Sequence, residues 1–151
     1  MIELLPVSIG IGLAVSLILS EALGMAGAGL VVPGYMALHL TDPVTVLVTL
    51  AAGFVAFGIV RSIGSTMIIF GRRRTILMIL AGYLTGVAAR YLAGEAMGGE
   101  EMYPVIGFII PGLIAIWLDR RGVIESICSL LTASVIVRLI LILVFGAGLN
   151  P

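Results

Sequence analysis

From Val44 to Phe70 the chain carries one charged residue, Arg61, and from Val123 to Phe145 it carries only Glu125 and Arg138. A soluble domain has no way to hide apolar runs of that length, whereas a hydrocarbon core of about 30 Å takes roughly 20 such residues as a helix. The constraint extends to the whole chain, which is 61% hydrophobic and only 11% charged. The expectation is an all-α integral membrane protein, multi-pass in the plasma membrane. A membrane barrel would need strands of alternating polarity, and runs such as "LILILVF" (Leu139 to Phe145) lack that alternation. Glu3 and no basic residue precede the first apolar run, so that run is expected to be the first span and not a cleaved leader.

Several chemistries are unavailable to such a chain. Cys128 is the single cysteine and His39 the single histidine, which removes an internal disulfide and a cysteine metal cluster, and no metal site is expected. Every basic residue is arginine, so a phosphate-binding loop ending in Gly-Lys-Ser/Thr cannot be built, and no Gly-rich dinucleotide fingerprint follows a strand. No catalytic residue set and no cofactor of its own is expected, and nucleic acid is not an expected partner.

Six apolar segments can be drawn, at about Leu4–Ser20, Ala22–Leu40, Val44–Phe70, Thr75–Ala93, Tyr103–Leu118 and Val123–Gly146. The breaks between them are short, so the expectation is one transmembrane domain, a six-segment helical bundle over residues 1–151. If all six cross, one side holds Arg72, Arg73, Arg74, Arg120 and Arg121, while the other holds Glu3, Asp42, Glu95, Glu100 and Glu101 with no basic residue in its loops. The positive-inside rule then puts both termini and the Gly94–Met102 loop outside. The rival drawing makes the second and fifth segments re-entrant; it sends "GRRR" and "DRRG" to opposite faces and breaks that rule.

The same helix-breaking pair stands in both of those segments, in "GLVVPGYMA" (Gly29 to Ala37) and "GFIIPGLIA" (Gly107 to Ala115). Arg61 follows Gly34 at nearly the interval at which Arg138 follows Gly112. With three crossings per half, the second half enters from the opposite side. The reading is an inverted 3+3 repeat, with halves of about 1–74 and 75–151 and with second and fifth helices broken at Pro33-Gly34 and Pro111-Gly112. Small residues recur every four positions at Ser8, Gly12, Ser16, Ser20 and Gly24, and the second half repeats the spacing at Gly82, Gly86, Arg90 and Gly94, as close helix packing in lipid requires. Arg61 is expected to sit deep in the membrane and Arg138 towards the outer leaflet, both facing the protein interior, where their charge favours an anion. Arg61 is placed about 16 Å from Arg72 along one helix.

"AGLVVPGYMAL" (Ala28 to Leu38), "MIIFGRRR" (Met67 to Arg74) and "GFIIPGLIA", in that order and spacing, resemble the PgsC/CapC family of poly-γ-glutamate biosynthesis proteins over essentially the whole chain. The resemblance implies a non-catalytic membrane subunit of a capsule-forming synthase and export complex. It would work with an ATP-dependent ligase, PgsB/CapB, and a membrane-anchored subunit, PgsA/CapA, the ATP being held by the ligase. On this reading Pro33, Gly34, Arg61, Pro111, Gly112 and Arg138 border the path of the anionic polymer. Arg72, Arg73, Arg74, Arg120 and Arg121 would dock the ligase or contact anionic lipid. A stand-alone transporter of a small acidic molecule, a purely structural anchor for the ligase, and a homo-oligomer remain open alternatives.

Overall fold

The computed structural model describes residues 4–24, 31–96 and 109–146, and every regular element among them is a helix. In chain order these are α1 (Leu4–Leu23), α2 (Val32–Leu38), α3 (Pro43–Thr66), α4 (Arg72–Ala96), α5 (Ile110–Arg121) and α6 (Val123–Phe145). Three of them hold stretches long and apolar enough to cross a membrane: Pro43–Thr66, Arg72–Leu92 and Val123–Phe145. In α1 the apolar stretch Pro6–Ala22 is shorter.

The helices α2 and α5 are different in kind. At 1.5 Å per residue they extend about 10 Å and about 18 Å, well short of a hydrocarbon core of about 30 Å. Pro33 and Pro111 stand in their first turns. A first-turn amide has no intrahelical acceptor, so proline loses nothing there and its fixed φ favours the helix. Among the described residues the Pro-Gly pair therefore opens a helix and does not interrupt one. The upstream parts of those two drawn segments, and Glu3, Glu100, Glu101 and most of the Gly94–Met102 loop, lie outside the described residues.

The chain forms two compact units, one made of Met1–Asp42 with Val123–Pro151 and the other of Pro43–Gly122. The first holds α1, α2 and α6, the second α3, α4 and α5, and within each unit every helix packs on the other two. A division of the chain near residue 74 would have left α3 with α1 and α2. Instead the third helix of each sequence half lies in the unit formed by the other half's first two helices. Motif order reveals that the pieces recur; which third helix closes on which pair is decided by packing faces.

Those faces match. The buried residues of α3 are Thr45, Thr49, Ala52, Gly53, Ala56 and Val60, and those of α6 are Ser126, Leu130, Ala133, Ser134, Val137 and Leu141, at identical spacing. In the first unit Val137 and Leu141 pack with Val15 and Ala37. In the second, Ala56 and Val60 pack with Met78 and Ala115. One buried hydroxyl on each of these faces returns to its own helix backbone, Thr49 Oγ1 donating to Thr45 O at 2.7 Å and Ser134 Oγ to Leu130 O at 2.7 Å.

Each short helix meets the full-length helix before it backbone to backbone. A Cβ on Gly12 would lie 2.9 Å from Gly34 Cα, and one on Gly34 would lie 2.8 Å from Ser8 O. In the second unit a Cβ on Gly82 would collide with the Cα and N of Gly112, and one on Gly112 would lie 2.9 Å from Ile79 Cα. Ser8 Oγ donates to Gly34 O at 2.8 Å within the first crossing, which gives its buried hydroxyl an acceptor on the neighbouring helix. Of the expected small-residue stripes, Ser8, Gly12 and Gly82 are thus the seats of the short helices, whereas Ser20 bonds to its own helix and Gly24 has nothing within 4 Å. Substitution at these seats forces the backbones apart: Gly12→Ala and Gly82→Ala should each destabilise the detergent-solubilised protein by about 1–3 kcal/mol. Gly58→Ala, where nothing lies within 4 Å, should be neutral or slightly stabilising. Thermal unfolding in one detergent reads all three, and a Gly82→Ala protein as stable as Gly58→Ala would contradict the crossing.

Candidate functional site

In the first unit the end of α2 is held by a cation. Arg138, half-buried on α6, donates from Nη1 to Ala37 O at 3.0 Å, with Leu38 O at the outer limit of 3.5 Å. The last carbonyls of a helix lack intrahelical partners and carry its negative dipole end, so a guanidinium there satisfies both demands. The His39 ring adds a contact from Nδ1 to Tyr35 O at 3.2 Å, and His39 N donates to Met36 O at 3.1 Å. A seven-residue helix has little stability of its own. Its seat at Gly12 and its cap at Arg138 fix it at both ends.

Arg61 is placed otherwise. It is exposed, with its guanidinium carbon 5.7 Å from the Phe57 ring centroid one turn back. The helix α3 stops at Thr66, where the run Gly64-Ser65-Thr66 combines poor helix formers. Arg61 therefore lies about 7–8 Å from the end of its helix, within snorkelling reach, and not some 16 Å deep on a helix continuing to Arg72. Against the expected interior placement, the Arg61 side chain is exposed, and α3 ends before it reaches Arg72.

The two arginines are also not equivalent. In the shared burial pattern Arg138 falls where α3 has Phe57, and Arg61 falls where α6 has Ile142, one helical turn away. The similar intervals in sequence conceal this because the connections differ: α2 leads to α3 through His39–Asp42, whereas α5 runs on to Arg121 and only Gly122 precedes α6.

In the second unit Arg74, in the first turn of α4, pairs with Asp119 near the end of α5 through Nη2 and Oδ1. Each residue alone would oppose its helix dipole, an arginine at a positive end and an aspartate at a negative end; together they cancel. The pair sets "GRRR" and "DRRG" at one end of the unit, with Arg72, Arg73 and Arg120 exposed around it and Arg121 half-buried. Higher in the unit, Thr85 Oγ1 lies within hydrogen-bond distance of Ala81 O, Gly82 O and, across on α3, Ala52 O.

Sequence reasoning missed Asp119 as a partner, Thr85, and the capping role of His39. Asp119 gave a usable signal, an acidic residue inside an arginine cluster; the others depend on which helices meet. Among the described residues no three His, Cys, Asp or Glu side chains gather as a metal site would require. The cap at α2 is open to test by amide exchange. Arg138→Ala should speed exchange over Tyr35–His39 about tenfold or more, the loss expected for a charged hydrogen bond, and Arg138→Lys should recover part of the protection. Unchanged exchange in the Ala variant would remove Arg138 as the cap.

Residues 11–127, which include both Pro-Gly pairs, Arg61 and the two arginine clusters, match the family described as capsule biosynthesis CapC. The PGA biosynthesis protein CapC of Bacillus subtilis (strain 168) is 34% identical over 125 residues, covering 82% of this chain and 84% of that protein. The capsule biosynthesis protein CapC of Bacillus anthracis is 35% identical over 127 residues, covering 77% of this chain and 78% of that protein. No solved structure matches. With most of its length aligned to that family, and with the residues that seat both short helices inside the match, the chain belongs to the CapC capsule biosynthesis family.

Proposed function

We propose that this chain is the membrane subunit of a poly-γ-glutamate synthase and export complex, supporting a ligase partner and the outward passage of the anionic polymer. The polymer is taken from the name of the Bacillus subtilis relative, in which PGA is read as poly-γ-glutamate. Joining glutamates through their side-chain carboxyls requires each carboxyl to be activated, for which ATP is the ordinary source. This chain has no lysine and no phosphate loop, so the nucleotide and the bond-forming step belong to a partner resembling the CapB ligase, with a CapA-like anchored subunit completing the assembly.

The observation that carries the reading is the Arg74–Asp119 pair. By joining the two arginine-rich connections at one end of the second unit, it supports six crossings with that end cytoplasmic, and it counts against the re-entrant drawing. Arg74 is committed to Asp119, so docking of the ligase would centre on the exposed Arg120, with half-buried Arg121 beside it and Arg72 and Arg73 at its flank. The equivalent build of the two units, a full helix, a glycine-seated short helix and a third helix with the same buried face, supports an inverted repeat with exchanged third helices. In such repeats the ends of short helices border the transport route, and on this reading Pro33-Gly34 and Pro111-Gly112 would lie along it. Arg138 would act there by holding α2 in place, and Arg61 by offering charge nearer a membrane surface.

Arg120→Ala combined with Arg121→Ala leaves the Arg74–Asp119 pair and the orienting charge of Arg72–Arg74 intact. The double variant should lower recovery of the ligase on co-purification in detergent roughly tenfold, as loss of interfacial charge pairs does, with polymer output falling in parallel. Wild-type recovery would exclude the docking face. Polymer made by the isolated chain, or made and exported in full by the ligase without it, would overturn the division of labour.

A further inference from the structure

Between α3 and α4 the backbone leaves the helix for Met67–Phe70 and turns at Gly71, whose φ of +66° is one that side chains disfavour. Ile69 is half-buried, but the other three side chains have no cover. Met67 is 64% exposed, Ile68 89% and Phe70 77%, and Arg72 and Arg73 immediately beyond are exposed as well. Such a concentration of apolar surface in a connection is unusual, since connections in water are polar. Its position accounts for it: the stretches on either side, Pro43–Thr66 and Arg72–Leu92, are each long and apolar enough to cross a membrane, so a segment joining them lies at a membrane surface.

The charges specify which surface. No acidic residue occurs between Asp42 and Glu95. Arg74 is neutralised by Asp119, and it faces its own unit. Arg72 and Arg73 are exposed beside the apolar tip, and Arg61 is exposed within snorkelling reach of the same end of α3. Apolar side chains flanked by uncompensated arginines fit a layer whose interior is hydrocarbon and whose headgroups are anionic. A protein partner of complementary charge would be met by the arginines but would leave Met67, Ile68 and Phe70 to find an apolar pocket besides.

We propose that Met67–Arg73 is an interfacial anchor: Met67, Ile68 and Phe70 insert among the acyl chains just beneath the headgroups, and Arg72 and Arg73 hold anionic phospholipid. The anchor rests on the membrane reading of this chain and goes beyond the docking role given to Arg120 and Arg121. It would hold the arginine-rich end of the second unit at a fixed depth, where a ligase working from the cytoplasm must meet it.

The full chain carrying Cys128→Ser and Ile68→Cys, labelled with an environment-sensitive fluorophore, is placed in nanodiscs of phosphatidylcholine containing equal small fractions of spin-labelled phosphatidylglycerol or spin-labelled phosphatidylcholine. A second protein labelled at Val55→Cys, on the exposed face of α3, reports insertion of that helix. The anchor predicts a blue-shifted Ile68 label, quenched about twofold more strongly by the anionic lipid. The preference should vanish in Arg72→Gln with Arg73→Gln or at high salt, as expected when each basic residue near the surface contributes roughly fivefold to anionic-lipid attraction. If Val55 is quenched by lipid but Ile68 emits as in water, or is quenched equally by both lipids, the anchor is wrong while the membrane reading stands. If Ile68 emits as in water until the ligase is added, the segment is a protein-docking surface and the proposal fails. If neither label is quenched, the membrane reading itself fails.

Discussion

At Gly12 against Gly34, and at Gly82 against Gly112, two helix backbones touch with no side chain between them. Lipid tails are as apolar as leucine, so helices in a bilayer gain little from hydrophobic burial against one another; they gain from close contact, and closest contact needs glycine. The rest of each unit depends on this seat. It lets a helix of seven or twelve residues lie against a full-length one, and it brings Ala37 and Ala115 within reach of the third helices. The caps are then needed because a helix that short has exposed polar ends. Arg138 supplies one for α2, and the Arg74–Asp119 pair fastens the far end of α5.

How much of this was legible in the sequence depends on the range of the interaction. Helical class, apolar segments and the recurrence of Pro-Gly follow from local composition, and among the described residues one helix overlaps each of the six expected segments, α2 and α5 over only part of theirs. The stripe beginning Ser8-Gly12 and Gly82 marked close packing correctly, since small residues every four positions leave one face of a helix bare. Pro33 and Pro111 stand in the first turns of α2 and α5, which begin at Val32 and Ile110; proline suits a first turn as readily as it kinks a helix interior, so Pro-Gly alone does not tell the two apart. The exchange of third helices was not legible at all. Thr45 to Val60 and Ser126 to Leu141 present the same face, and nothing in either run names its mate.

The arginines show the same limit more sharply. Arg61 and Arg138 look paired by interval, yet one stacks on Phe57 near the end of a helix and the other caps α2. A difference of a few residues in the links before α3 and α6 shifts one arginine a full turn relative to the buried face. Charge type was a better guide than charge position. Arginine rather than lysine suits carbonyl caps and carboxylate pairs, because its planar fork can reach two acceptors and stays ionised when partly buried.

The exchanged arrangement makes a claim that covalent distance can decide. In a Cys128→Ser background, cysteine pairs at Ala37 with Val137 and at Ala56 with Ala115 should be joined by a short bifunctional thiol reagent, since each pair shares a core cluster. Limited proteolysis and mass spectrometry of the membrane-embedded protein would report the links. The account predicts efficient links at 37–137 and 56–115. Links at 37–56 and 115–137 in their place would mean that each sequence half closes on its own third helix, and would contradict it.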